Sequence, residues 1–273
     1  MLIKLGRFDF TECWDGVLYK NLSQYPDVTE WEMQNVLDFI SYEKTWGRSC
    51  RIEASEEQLE KLAKYKNTYS KTRVPVPSKL TECTACPRYR GCMTEFVCHT
   101  SPIENALKIL DSGSLLSAVR ARGMSGEELK RESRNAANDP ADYFEYVMFS
   151  WGNCQAGDRL VNERRLGRSP TNEELGAGFT PGVRFYFRYG DIVKHPGVVF
   201  DGVLPLKIRD EVKLCDRVYA VVVPEMYRDT VRSRIPGSLL GKVHYLDSSG
   251  TDIWEWSEKV YEYIKSCEGV EKQ

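Results

Sequence analysis

The residues best placed to do chemistry lie in FVCHTSPIENALKILDSGSLLS, residues 96–117. Phe96 and Val97 read as the end of a short strand. Ser101 and Glu104 have capping-box spacing with Pro102 at the first helical position, so a helix is expected to start just after His99. Ile103, Leu107 and Leu110 would pack inward, and Gly113 suits the left-handed residue that stops the helix. His99 and Thr100 are then left at a strand-to-helix corner, where side chains can meet a ligand and helix amides its anionic part. The plainer account of a single histidine is a satisfied core or capping residue. The second group is C-x2-C-P-x4-C at Cys83, Cys86 and Cys92, followed by Cys98. Thiolates spaced in this way can converge on one metal, zinc or an iron-sulfur cluster. Ordinary thiols are the alternative.

The strand-end His and Thr, followed by N-x-x-x-I-L-x-x-G and L-L-S (Asn105, Ile109, Leu110, Gly113, Leu115, Leu116, Ser117), resembles the opening of the DarT-type DNA ADP-ribosyltransferases and related NAD-using transferases. Tyr146 to Trp151 is similar to the aromatic strand that follows in that family, and Val218 to Pro224 with MYRDTVRSRI resembles its final strand and helix. The likeness runs over about residues 95–247. It implies a split antiparallel sheet with NAD bound between its halves. His99 would hold a ribose hydroxyl in the company of Thr100 and Asn105, and Tyr146, Phe149 or Trp151 would stack on nicotinamide. A glutamate near the last core strand would stabilise the positive charge that builds on the ribose as the bond to nicotinamide breaks. In this register that position falls on Ala220, and the nearby carboxylates are Glu211, Asp216 and Glu225, of which Glu225 is the catalytic candidate. The run CTACPRYRGC also resembles the iron-sulfur staple of the AddB-type nucleases, which implies a [4Fe-4S] cluster completed by a fourth, distant cysteine, here Cys50, Cys13 or Cys98, without the nuclease carboxylate and lysine motifs.

Other candidates are weaker. The arginines and lysines at 120–134 and 159–168 are interspersed with Glu127, Glu128, Glu132 and Glu163, which suits a solvated helical face as well as a phosphate-binding rim. Arg184 and Arg188 alternate with apolar residues on a strand, turned towards pyrophosphate or solvent. His195 reads as a loop residue and His244 as structural. Cys154 and Cys215 have no histidine near them in sequence.

The elements that must hold these residues follow from the pattern of the chain. Its 273 residues are 41% apolar and 29% charged, with 38 basic against 40 acidic side chains and a formal charge of −2. No global field draws in nucleic acid or anionic membrane, so a polyanion site must be a local patch. Without a long apolar run or a leader-like start, the expectation is a cytoplasmic protein with no membrane partner. Thr29 to Glu32 and Ser55 to Gln58 are capping boxes. The first 80 residues are expected to be helical, with a linker near 70–80, where SKTRVPVPSKL cannot continue a helix. Val183, Phe185 and Phe187 have the period of a half-buried strand, Asp201-Gly202 suits a tight hairpin, and Val218–Val223 a buried strand. Lys242 to Leu246 suits a further strand. Ile253, Trp256, Val260 and Ile264 share one face of a closing helix.

The expected fold is α+β. A helical segment occupies 1–80, a cysteine-rich bridge 81–98, and an ADP-ribosyltransferase-like domain 95–273. The expected function is transfer of ADP-ribose from NAD to a macromolecular acceptor, nucleic acid or protein, with an antitoxin-like protein as a potential partner. The alternative is a catalytically inactive nucleotide- or nucleic-acid-binding protein with a metal-stapled module.

Overall fold

The structure is a computed structural model that describes residues 1–8, 11–14, 16–22, 28–69, 94–132 and 139–271. It is a mixed α/β protein with sheets of mixed orientation. The first stretch carries β1 (Leu2–Gly6), β2 (Glu12–Trp14), β3 (Val17–Asn21), α1 (Glu30–Thr45), β4 (Arg51–Glu53) and α2 (Glu56–Thr68). The middle carries β5 (Phe96–Ser101), α3 (Ile103–Ser112), β6 (Ser114–Leu116), α4 (Ala118–Arg122), α5 (Gly126–Glu132), β7 (Tyr146–Trp151) and α6 (Ala156–Leu166). Then come β8 (Val183–Arg188), α7 (Tyr189–Ile192), β9 (Val198–Val199), β10 (Leu206–Arg209), β11 (Glu211–Lys213) and α8 (Leu214–Arg217). The chain ends with β12 (Val218–Pro224), α9 (Arg228–Arg232), β13 (Val243–Leu246) and α10 (Ile253–Glu271). Among the described residues no helix is long and apolar enough to cross a membrane.

The chain divides into two compact units, each made from separated stretches: Met1–Met93, Ser117–Met148 and Val193–Asp210 in the first, and Thr94–Leu116, Phe149–Ile192 and Glu211–Gln273 in the second. This division departs from the expected order of an N-terminal segment, a bridge and one later domain, because 117–148 and 193–210 join the first unit.

In the first unit the sheet order is β2-β3-β1-β4, with β1 parallel to both β3 and β4 and β2 antiparallel to β3. The expectation of a helical first segment is corrected here. It captures α1 and α2 but not the sheet they cover, whose strands are only three to five residues long. Ile3, Leu5 and Leu18 face Met33, Val36 and Phe39 of α1 and Leu62 of α2 in one buried cluster. Both helix starts are closed as the spacing predicts. Thr29 Oγ1 accepts from the Glu32 amide while Glu32 Oε2 accepts from the Thr29 amide, and Ser55 and Gln58 do the same. In the same unit β9 and β10 pair antiparallel, but the connection through Asp201-Gly202 spans 200–205 and is longer than the tight hairpin expected. Asp201 Oδ1 accepts from the amides of Val203 and Leu204 at 3.0 and 3.1 Å. Gly202 has φ +74°, and a Cβ there would lie 2.4 Å from the Asn35 carbonyl oxygen, so only glycine fits.

In the second unit the order is β13-β12-β8-β5, followed by the 149–151 end of β7; β12 and β13 are parallel and the other pairs antiparallel. Side chains alternate across this sheet. Phe96, Cys98, Tyr186, Ala220 and Val222 pack against Ile253, Trp256, Val260 and Ile264 of α10, the stripe expected from sequence. Arg184 is a correction. It is fully buried, reaching neither solvent nor an open ligand site. Its guanidinium donates to Asp158, to Tyr186 Oη at 3.1 Å and to Ser257 Oγ at 2.6 Å. Asp158 also accepts from the Gly182 amide at 2.7 Å. Every charge in this network has partners, as burial requires. The antiparallel β6–β11 pair completes the unit.

Candidate functional site

The site is built where β5 runs into α3. The strand extends through Ser101, two residues beyond the expected corner, and pairs His99 with Phe185 and Thr100 with Arg184. Period-two alternation therefore places His99 and Thr100 on opposite faces. His99 is half-buried, its Nε2 lies 3.1 Å from Ser101 Oγ, and its ring stands edge-on to Phe149 with centroids 6.2 Å apart. Phe149 in turn meets Phe187 at 5.4 Å. Thr100 sits instead under α6, where a Cβ on Gly157 would come within 2.4 Å of its Oγ1. Thr100 is thus a packing residue of the α6 contact and does not join His99.

The capping box expected from Ser101 and Glu104 does not form. Pro102 is the N-cap of α3 and no side chain bonds to the first amides, since Ser101 is still the last residue of β5, in register with Val183. Gly113 ends the helix with φ +70°, its amide donating to the Ile109 carbonyl as the sequence predicts. Asn105 is exposed in the first turn.

The three aromatic candidates are not brought together. Phe149 is buried beside His99, and Trp151 is half-buried with its ring 5.0 Å from Tyr189. Tyr146 belongs to the first unit, where its ring lies 4.5 Å from Lys207 Nζ, and burial pushes its hydroxyl up to about 12.

Glu225 follows β12 in a short 3-10 turn and is exposed. β5 and β12 run in the same direction on either side of β8, with Thr100 and Val222 both in register with Arg184. Glu225 and the start of α3 therefore leave the sheet at the same edge, about 10 Å apart across two strand spacings. Glu225 is held there by Arg228 at 2.5 and 2.8 Å, and this hydrogen bonding, more than any other influence, lowers its pKa. Arg228 also stacks on Tyr245 at 4.1 Å. Ala220 is buried in the α10 core, Glu211 accepts from Ser114 Oγ at 2.7 Å, and Asp216 accepts from the Cys215 thiol at 3.2 Å.

Compared with protein-family models, curated proteins and solved structures, the chain matches none of them.

Cys83, Cys86 and Cys92 lie outside the described residues. Among the described residues no group of His, Cys, Asp and Glu is arranged to hold a metal ion. Cys98 is a poor thiolate. It lies in the α10 core 3.6 Å from Thr100 Oγ1, and burial pushes it up to about 12. Cys13 is raised to about 12 for the same reason, and burial raises Cys50 as well. His195 Nδ1 accepts from the Gly197 amide at 3.1 Å and His244 Nδ1 lies 3.0 Å from Tyr263 Oη, the loop and structural roles expected of them.

Sequence reasoning missed a buried charge cluster in the first unit. Lys207 Nζ is fully buried 3.1 Å from Asp201 Oδ2 and lies over the rings of Tyr42 (3.7 Å), Tyr143 (3.8 Å) and Tyr146 (4.5 Å). The Tyr42 hydroxyl donates to Asp142, which also accepts from Arg48 at 3.2 Å, and Arg48 holds Glu43 with two bonds of 2.9 and 2.7 Å. Burial lowers the pKa of Lys207, opposed by Asp201. Each of the unit's three stretches contributes, through Tyr42 and Arg48, through Asp142, Tyr143 and Tyr146, and through Asp201 and Lys207. The one signal in sequence is a lysine inside the apolar run LPLKI.

Proposed function

We propose that the second unit binds NAD at the edge where β5 meets α3, and that the protein transfers ADP-ribose to a macromolecular acceptor, nucleic acid or protein. The observation that carries this reading is His99. A half-buried imidazole stands beside Phe149 just ahead of a helix whose first amides carry no side-chain cap. An imidazole suits the vicinal hydroxyls of a ribose, and uncapped amides suit a diphosphate. Trp151, half-buried where Phe149 is enclosed, is the better surface for nicotinamide. Breaking the bond from ribose to nicotinamide builds positive charge on the sugar, which a fixed carboxylate at that edge would stabilise. Glu225 is the candidate, and to act it must exchange Arg228 for the substrate. The metal-stapled module stays part of the proposal, with zinc or [4Fe-4S] held by Cys83, Cys86 and Cys92; the buried Cys98 thiol fits poorly as the fourth ligand.

A second reading, binding of a nucleotide without transfer, is favoured by Ala220 in the core and by the Glu225–Arg228 pair. Measuring nicotinamide release from NAD with DNA, RNA and protein acceptors separates the two. Transfer predicts release that falls roughly 100-fold or more in Glu225→Gln, with NAD affinity kept within a few-fold. NAD binding with no release from any acceptor selects the second reading.

A further inference from the structure

We infer that β4 is a self-complementary edge through which two copies of this chain pair. It is the outer strand of the first unit's sheet, with β1 on one side and, among the described residues, no strand on the other. The register sets Arg51 against Leu2, Ile52 against Ile3 and Glu53 against Lys4, and the Arg51 amide donates to the Met1 carbonyl at 3.0 Å. In a parallel ladder a residue turns its N–H and its C=O to the same neighbour, and the next residue turns both away. Arg51 and Glu53 therefore bond towards β1, while the N–H and C=O of Ile52 face the open side.

Such edges are usually kept from pairing by shortness, charge, proline or a bulge. β4 is short, but it has no proline, and its two charges, in Arg-Ile-Glu, are of opposite sign, so a partner strand can match them. A second β4 running antiparallel about a two-fold axis at Ile52 would exchange both backbone hydrogen bonds with it, the close pair of an antiparallel ladder. The same axis sets Arg51 opposite Glu53 of the partner subunit, and Glu53 opposite Arg51 of the partner subunit. Both side chains are exposed, and Lys4, 3.4 Å from Glu53, adds positive charge on that face. Ile52 packs on the opposite face with the core of Ile3 and Leu5, so the apolar layer would continue across the axis. This charge order favours a copy of itself over a strand of another protein, because the two-fold operation matches each charge to its opposite without further design.

Sedimentation equilibrium on the full chain tests this, with circular dichroism confirming that each variant is folded. The wild type should dimerise with a Kd on the order of tens of micromolar, as befits a short edge. Glu53→Arg, which opposes Arg to Arg, and Arg51→Glu, which opposes Glu to Glu, should each weaken dimerisation at least about tenfold. The double variant Arg51→Glu/Glu53→Arg should restore it, and an equimolar mixture of the two single variants should form a heterodimer. A wild type monomeric at roughly ten times that concentration, or a dimer indifferent to the charge reversals, overturns the inference.

Discussion

Lys207 and Asp201 show what a single buried pair demands. An ammonium stripped of water costs several kcal/mol, which its partner carboxylate and the faces of Tyr42, Tyr143 and Tyr146 offset. Removing either charge alone leaves the other buried and uncompensated. Asp201→Asn and Lys207→Met should therefore each destabilise the fold by about 3–5 kcal/mol, and the double variant should recover much of that loss. Urea unfolding of the four proteins measures the cycle, and strictly additive losses would show that the two groups do not act as a pair. The same logic explains why Arg184 was misread from sequence. Alternation correctly gave it the face opposite Phe185, but alternation cannot say that α10 covers that face too, so a residue expected in solvent or on phosphate instead holds Asp158 and Ser257.

Among the elements, those that declare themselves through local chemistry were legible. The Thr29 and Ser55 boxes, the Gly113 stop and the apolar stripe of α10 all depend on neighbours within one or two turns. What failed was decided at longer range. The strands β1 to β4 are too short for a clear period, and two of their three pairings are parallel. The box at Ser101 does not form because β5 runs through Ser101 to pair with Val183, which makes Pro102 the N-cap. Tyr146 and Phe149 were grouped because they share a strand, yet they lie in different units. The contact between α6 and β5 lies within the second unit but joins residues far apart in sequence, so it too was invisible, and it makes a clear prediction. A Cβ on Gly157 would sit 2.4 Å from Thr100 Oγ1 and 2.5 Å from Thr100 Cβ. Gly157→Ala should therefore lower stability by about 1–3 kcal/mol despite alanine's better helix propensity, which thermal or urea denaturation would show. A neutral or stabilising change would mean that α6 does not press on Thr100.

At the scale of the whole molecule, the two units interleave along the chain, so contiguous sequence segments could not reveal them. At the candidate site, the place of His99 near the end of a strand that leads into a helix was legible, whereas nothing in the sequence singled out Phe149, which stands beside it, from Tyr146 and Trp151. The site was not legible in its carboxylate, because whether Glu225 serves a substrate or Arg228 depends on a turn that no motif encodes. Calorimetric titration of NAD into the wild type and His99→Ala tests the central claim most directly, with a melting curve of each protein for comparison. A ribose contact through His99 predicts measurable binding that weakens roughly 5- to 30-fold in the variant, corresponding to one hydrogen bond of about 1–2 kcal/mol, with the melting temperature nearly unchanged. No binding by the wild type, or equal affinity in a variant whose melting temperature has fallen, would contradict the account and return His99 to a purely structural role.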